Sequence, residues 1–232
     1  MKYKAILFDL DGTLLPLENE AFMKSYFGAI TRWLAPHGYD PKETLESIML
    51  GSYAMVKNDR DVCNEQVFWE VFEGRHGKVD RDVFDAFYAT EAIHVLKVCT
   101  PDRRAARVIE AVKDGGALAV LATNPMFPAV FTHLRAQYAG LKVEDFALIT
   151  TFENSRRCKP NPAYYEEILT KLGLSPADCL MVGNDVEEDM IPAAALGMDT
   201  FLLTDCLINK KDRDVAVYKR GDFDGLLALL AQ

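Results

Sequence analysis

The most constraining feature of the sequence is a regular alternation of short apolar runs and amphipathic helical patterns beyond about residue 98. Nearly continuous apolar runs are typical of strands buried on both faces of a parallel sheet. Strands that alternate with helices predict an α/β fold, a Rossmann-like parallel sheet with helices on both faces. The apolar runs of this part of the chain are Ala117–Ala122, Phe146–Thr150, Cys179–Val182 and Thr200–Leu203.

The N-terminal part of the chain contributes one more strand and then changes character. Residues 4–10 contain the apolar run AILF, with Asp9 at the C-terminal end. From residue 17 to 97 the apolar residues recur at helical spacing, as in Phe22, Tyr26 and Ile30, without any alternating strand pattern. We therefore expect a core domain formed by residues 1–16 and 98–232, and an inserted, all-helical cap domain formed by residues 17–97, the helical insertion.

Charge and composition exclude several classes of partner. The formal net charge is −9, from 35 acidic and 26 basic side chains, which disfavours nucleic acid and anionic membranes as partners. The five cysteines show no C-x-x-C spacing and are expected to be free thiols. The N-terminus lacks a signal-peptide pattern, so we expect a cytoplasmic protein. The sequence does not indicate the oligomeric state.

Polar side chains stand at four places that follow predicted strands, at the edge where ligands bind in open α/β sheets. Asp9 and Asp11 end the first strand, beside Gly12, and two acids in such a place are poorly explained by structure alone. Thr123 and Asn124 follow the strand Ala117–Ala122, where they could bind phosphate oxygens or cap a helix.

Two further polar groups occur later in the chain. Lys159 precedes Pro160 in a proline-rich loop, which would hold the ammonium group in a defined place, and a lysine is a point charge suited to phosphate. Asn184 and Asp185 follow the strand that ends at Val182, with Asp189 four residues beyond Asp185. Glu187 and Glu188 between them are assigned to the first turn of a helix.

The ordered set DLDGT, TN, KP and GND-x-x-x-D resembles the four sequence motifs of the haloacid-dehalogenase-like hydrolases. The resemblance covers roughly residues 1–16 and 98–232, and the helical insertion is similar to the family's first type of cap domain. It implies a phosphatase in which Asp9 is the nucleophile that forms an aspartyl-phosphate and Asp11 is the general acid and base. Thr123, Lys159 and, less directly, Asn124 would bind the phosphoryl group.

The resemblance also implies one Mg²⁺ ion, bound by Asp9, the backbone carbonyl of Asp11 and an acid of the fourth motif. Here the motif departs from the common pattern, because Asn184 stands where an aspartate usually follows the glycine. We favour Asp185 as the ligand, because a carboxylate binds Mg²⁺ better than an amide, and Asn184 is the alternative. Asp189 is expected to orient Lys159 or a metal-bound water.

Other functions remain open within and outside this family. Asp11 argues against a dehalogenase, but a sugar phosphomutase would keep both aspartates. A receiver-like or non-catalytic phosphate-binding protein is a third possibility. The substrate is expected to be a small organic phosphate that the sequence does not name. Aromatic residues of the helical insertion are expected to form its core, with a pocket lining as the alternative: Phe22, Trp33, Phe68, Trp69 and Phe84.

Overall fold

Six parallel strands form one sheet in the order β3-β2-β1-β4-β5-β6 in the computed structural model, which describes residues 1–231. The α/β fold class is therefore confirmed. The five strands that the sequence predicts are present, with ends that differ by one or two residues. A sixth, β6, was missed because its three residues, KRG, carry no apolar pattern. The strands are β1 Ala5–Phe8, β2 Leu118–Leu121, β3 Phe146–Ile149, β4 Cys179–Gly183, β5 Asp199–Leu203 and β6 Lys219–Gly221.

The central strand β1 is buried on both faces. Ile6 and Phe8 point into one hydrophobic cluster, and Ala5 and Leu7 point into a second cluster on the opposite face. Side chains alternate between the two faces of a strand, so a strand covered on both sides must be apolar at every position. This accounts for the unbroken run AILF.

Nine α-helices accompany the sheet in residues 1–231, and four of them, α1 to α4, lie in the helical insertion that follows β1. This stretch of the described chain contains helices and turns, as predicted for the helical insertion. At its ends the amide of Thr100 donates to the carbonyl of Pro16 at 2.9 Å, so the entering and leaving segments run side by side. The helices are α1 Asn19–Leu34, α2 Pro41–Val56, α3 Asn64–His76, α4 Arg81–Thr90, α5 Arg103–Asp114, α6 Ala129–Tyr138, α7 Pro162–Leu172, α8 Ile191–Ala195 and α9 Phe223–Leu230.

The helical insertion packs on the core through aromatic side chains. Phe22 of α1 is buried, and its ring stacks on that of Phe131 of α6 with 6.4 Å between centroids. Trp33 donates its indole N–H to the carbonyl of Val83 at 2.9 Å, within the insertion. Phe22 therefore belongs to the hydrophobic core, and the half-buried Trp33 packs against it.

The helix that follows the turn of the fourth motif begins with a wider turn than a regular α-helix. Val186–Met190 make one π-helical turn, and α8 follows directly. Pro192 lies at the beginning of α8, where its missing N–H costs no helical hydrogen bond. The sequence assigned Glu187 and Glu188 to the first turn of a helix; that turn is π-helical, and the change to an α-helix accommodates the proline.

Two further observations concern the cysteines and the helices. The cysteines are free thiols: Cys63, Cys99, Cys158, Cys179 and Cys206. No helix within residues 1–231 combines the length and apolarity that crossing a bilayer requires.

Candidate active site

The site is built on the carboxyl end of β1. The amide of Asp9 donates to the carbonyl of Val182 at the end of β4, at 2.9 Å, so the backbone is still held by the sheet. The strand order reverses between β1 and β4, which makes this the topological switch point of the sheet. The Asp9 carboxylate, 11% exposed, therefore projects from the edge at which α/β proteins bind their ligands.

Asp9 is paired with the lysine that the sequence singled out. Lys159, 1% exposed, donates from Nζ to Oδ1 of Asp9 at 2.8 Å and to Oδ1 of Asp189 at 2.7 Å. Burial by itself lowers the pKa of Lys159, but the charges of Asp189 and Asp9 outweigh it and hold that pKa well above its ordinary value. The lysine is therefore a fixed positive charge between two carboxylates.

Asp189 reaches this position because the backbone turns sharply after β4. Its Oδ2 accepts from the amide of Asp185 at 3.1 Å. A Cβ atom on Gly183 would lie 2.2 Å from the same oxygen, so only glycine leaves room for the carboxylate. Burial raises the pKa of Asp189 to about 7, against the opposing effect of Lys159.

The two polar residues after β2 join the loops of the site. Asn124 donates from Nδ2 to Glu188 at 3.1 Å, and its Oδ1 accepts from the amide of Lys159 at 3.2 Å. The carbonyl of Thr123 accepts from the hydroxyls of Thr150, at 2.6 Å, and Tyr164, at 2.9 Å. Thr123 and Asn124 are thus held beside the lysine loop. Glu188, which the sequence assigned only to a helix turn, also contacts the site.

The first two polar residues of the last motif, Asn184 and Asp185, differ in their contacts. Asn184 donates to the carbonyl of Cys206 at 2.7 Å, and its Oδ1 accepts from the Thr13 hydroxyl at 3.0 Å. That hydroxyl also lies 3.4 Å from Oδ2 of Asp9. Asp185 caps the following turn by accepting from the amides of Glu187, at 2.8 Å, and Glu188, at 3.0 Å.

Gly12 explains why Asn184 can approach the first motif. Its φ of +81° lies in the left-handed region, and a Cβ there would lie 2.3 Å from Nδ2 of Asn184. The DGT sequence therefore serves two purposes. It allows the turn after Asp11, and it brings the fourth motif against the first.

An unpredicted arginine completes the site. Arg135 of α6 has no exposed side-chain surface, and it donates from Nη1 to Oδ2 of Asp11. Its guanidinium carbon lies 4.6 Å from the ring centroid of Phe127 and 5.2 Å from that of Phe131. One feature of the sequence could have predicted this contact. Arg135 lies four residues after Phe131, on the apolar face of the helix, where a charged side chain needs a buried partner.

The surroundings of Asp11 affect its proton affinity. Burial raises the pKa of Asp11 and the charge of Asp9 adds to this, while Arg135 and Lys159 act in the opposite direction. The other carboxyl oxygen, Oδ1, is buried and makes no hydrogen bond within the described part of the chain. A carboxyl group with a raised pKa can carry a proton and donate it.

The charge balance of the site leaves room for a cation. Asp9, Asp185 and Asp189 are acids at this edge of the sheet, and Lys159 is the single ammonium that pairs with Asp9 and Asp189. No cluster of three or more His, Cys, Asp or Glu side chains arranged as a metal site occurs among residues 1–231. The set expected for Mg²⁺ has two carboxylates and one carbonyl, which suits an ion that keeps several waters.

Comparisons with known proteins identify relatives of this chain. The family model of the haloacid dehalogenase-like hydrolases matches residues 3–197. Hexitol phosphatase A of Escherichia coli (strain K12) is 26% identical over 202 residues, which cover 85% of this chain and 81% of that protein. Pyrophosphatase PpaX of Bacillus cereus (strain AH820) is 24% identical over 204 residues, which cover 86% and 82%.

A solved structure extends the likeness in fold. The 2-haloacid dehalogenase from Pseudomonas syringae pv. Tomato DC3000 superposes with a TM-score of 0.67 at 18% identity, covering 99% of this chain and 98% of that one. The matched model spans both the strand–helix core up to residue 197 and the helical insertion. The chain therefore belongs to the haloacid dehalogenase-like hydrolases.

Proposed function

We propose that this chain is a Mg²⁺-dependent phosphatase that hydrolyses a small organic phosphate monoester through a phosphoryl group carried on Asp9. The observation that supports this most directly is the contact of Asp9 with the buried Lys159, with Asp11 two residues along the chain. The names of the two curated relatives, a hexitol phosphatase and a pyrophosphatase, agree with phosphate chemistry.

In the first half-reaction a carboxylate oxygen of Asp9 attacks phosphorus and forms an O–P bond. The bond from phosphorus to the substrate oxygen breaks, and Asp11 donates its proton to that oxygen. The raised pKa of Asp11 favours the protonated form that this step requires. The products are a free alcohol and an aspartyl-phosphate on Asp9.

In the second half-reaction Asp11, now ionised, accepts a proton from a water molecule that attacks phosphorus. The bond between Asp9 and phosphorus breaks, which releases inorganic phosphate and restores both carboxyl groups. Lys159 offsets the negative charge of the phosphoryl oxygens, and the Thr123 hydroxyl would donate to one of them. Asp11 thus regains its proton in each cycle, and the phosphoryl group leaves on the oxygen of the attacking water.

The metal would be held by Asp9, the backbone carbonyl of Asp11 and Asp185, with Asn184 as the alternative to Asp185. When bound, Mg²⁺ neutralises charge on the transferring phosphoryl group. The surplus of carboxylates over ammonium groups around Lys159 supports a cation in this place.

The test is phosphate release from p-nitrophenyl phosphate by purified protein with Mg²⁺, with EDTA, and as Asp9→Asn. We expect turnover that requires Mg²⁺ and is lost in Asp9→Asn. Asp114→Asn, a matched change at the exposed end of α5, should leave turnover unchanged. Absence of turnover here and across a panel of phosphate esters would contradict the proposal. A long-lived phosphoryl group on Asp9 would then indicate a phosphomutase or a receiver-like protein.

A further inference from the structure

A buried side chain of the helical insertion contacts the two loops that carry Thr123 and Lys159. Asn64, the first residue of α3, has no exposed surface. It donates from Nδ2 to the carbonyl of Pro125 at 3.3 Å and to Sγ of Cys158 at 3.2 Å. Pro125 lies two residues after Thr123, and Cys158 directly precedes Lys159. A single amide group therefore joins the two loops that are expected to bind the phosphoryl group.

The orientation of this amide is fixed by a second buried asparagine. Asn58, 5% exposed, donates from Nδ2 to Oδ1 of Asn64 at 3.0 Å and to the carbonyl of Arg156 at 2.8 Å. A backbone carbonyl can only accept a hydrogen bond, so the nitrogen of Asn64 must face Pro125, and its oxygen then faces Asn58. The pair of amides thus directs the two N–H groups of Asn64 at the loops.

The start of α3 also rests on the loop that leads to the lysine. The backbone amide of Asn64 donates to the carbonyl of Ser155 at 2.9 Å, and that of Glu65 donates to the carbonyl of Phe152 at 2.8 Å. The first amides of a helix have no partner within the helix, so here a loop of the core supplies their acceptors. These backbone contacts hold α3 in place independently of the Asn64 side chain.

The same two loops are also linked directly. Oδ1 of Asn124 accepts from the amide of Lys159 at 3.2 Å. With this bond alone the loops could still rotate against each other, whereas a second link, through Asn64, fixes their relative orientation. The orientation matters because a misplacement of about 1 Å can lower the rate of an enzyme by about 100-fold.

We infer that Asn64 is a positioning residue for the proposed phosphatase reaction. Its amide holds the loop of Thr123 against the loop of Lys159, so that the hydroxyl and the ammonium group meet the same phosphoryl group. The inference rests on the proposed function and adds to the site a residue that the helical insertion supplies. Asn64 acts through the two loops and not on the substrate.

The test compares the wild type with Asn64→Leu, in which a side chain of similar shape has no hydrogen-bonding group. We expect kcat/KM for p-nitrophenyl phosphate with Mg²⁺ to fall by about 10- to 100-fold. The inhibition constant of orthovanadate, which mimics the transferring phosphoryl group, should rise by a similar factor. Gln66→Leu, the same replacement at an exposed amide of α3, is the matched control and should leave both values unchanged.

The vanadate measurement distinguishes positioning from a merely structural role. A variant that is only less stable contains fewer folded molecules, which lowers the apparent rate, but the folded molecules bind vanadate with the wild-type constant. A raised inhibition constant in Asn64→Leu therefore supports the inference. An unchanged constant, with hydrolysis by the wild type intact, would overturn it and leave the phosphatase function standing.

Asn64→Ser tests the contact in a second way, which also serves if Asn64→Leu does not fold. Serine can still accept from Asn58, but it has one donor hydrogen and a side chain one bond shorter, so it cannot join both loops. We expect the rise in the vanadate constant to lie between the wild type and Asn64→Leu. A wild-type constant in Asn64→Ser would contradict the positioning role.

Hydrogen exchange separates this inference from the phosphatase proposal, since it requires no turnover. Amides in segments 123–127 and 156–161, followed by mass spectrometry, should exchange faster in Asn64→Leu than in the wild type or in Gln66→Leu. If the wild type neither hydrolyses phosphate esters nor binds vanadate, the phosphatase proposal fails, and exchange still decides whether Asn64 holds the loops. Equal exchange in both segments would refute the inference.

Discussion

Arg135 donates to the carboxylate of Asp11 from a position with no solvent exposure, while Asp11 itself is 24% exposed. The side chain of Arg135 is fixed by the rings of Phe127 and Phe131 and donates from Nη2 to Thr132 at 3.3 Å. The arginine therefore determines where the carboxyl group of Asp11 stands. Asp11 is the proposed acid and base, so this pair links the packing of α6 to catalysis.

Arg135→Met should lower kcat by about 10- to 100-fold, less than loss of the acid–base group itself, which costs roughly 10²- to 10⁴-fold. The carboxyl group would lose its one hydrogen-bond partner and its fixed orientation. Arg135→Lys, which restores the charge, should recover part of the rate. Gln137→Met, an exposed position on the same helix, is the control. Steady-state kinetics measure kcat for each variant. An unchanged kcat in Arg135→Met would show that the function of Asp11 does not depend on this contact.

The pH dependence of the first half-reaction should follow the protonation of Asp11. Burial raises its pKa, so the acid form survives to higher pH than in an ordinary aspartate and is lost as pH rises through the raised value. With an alkyl phosphate, kcat/KM should therefore decline on the alkaline side. Since Arg135 lowers this pKa, Arg135→Met should move the decline to higher pH. A shift to lower pH in the pH–rate profile would contradict this assignment.

Lys159→Met should destabilise the protein by about 3–5 kcal/mol and abolish turnover, because Asp9 and Asp189 would remain as buried carboxylates without their counter-ion. Urea unfolding measures the change, and Lys142→Met at an exposed site is the control. Protonation of both carboxylates should reverse this loss of stability, because neutral carboxyl groups need no counter-ion.

The same variant has a predictable dependence on pH. Burial already raises the pKa of Asp189 to about 7, so the folded state holds a proton that the unfolded state releases above about pH 4. The contribution of Asp189 to the free energy of unfolding therefore falls as the pH rises from about 4 to about 7. The loss of stability in Lys159→Met, relative to the wild type, should be larger at pH 8 than at pH 5. Equal losses at the two pH values would argue against buried, unpaired carboxylates.

Asp185→Ser should raise the Mg²⁺ concentration needed for half-maximal activity by more than about 10-fold. Serine keeps an oxygen that can cap the turn at Glu187 and Glu188, so the change tests the carboxylate and not the local fold. Asn184→Ala should have the smaller effect on Mg²⁺ activation. The reverse order in a Mg²⁺ titration would assign the ligand position to Asn184.

The parallel sheet could be predicted because its signal is local. The run AILF and the four later apolar runs report burial on both faces, and Asn161 and Gly173 indicate where α7 begins and ends. In the structure Asn161 accepts from the amide of Ala163 at 3.0 Å, and Gly173 adopts a φ of 64°. Strand β6 was missed because its exposed residues carry no such pattern.

The sequence by itself determined the fold class, the family and the loops that carry the polar residues, since each depends on the order and spacing of neighbouring residues. Only the tertiary structure decided which side chains meet. Lys159 lies 150 residues from Asp9 along the chain, and Arg135 lies 124 residues from Asp11. Such contacts depend on how distant elements pack, and a buried arginine on an apolar helix face reveals its partner only when the fold brings that partner within reach.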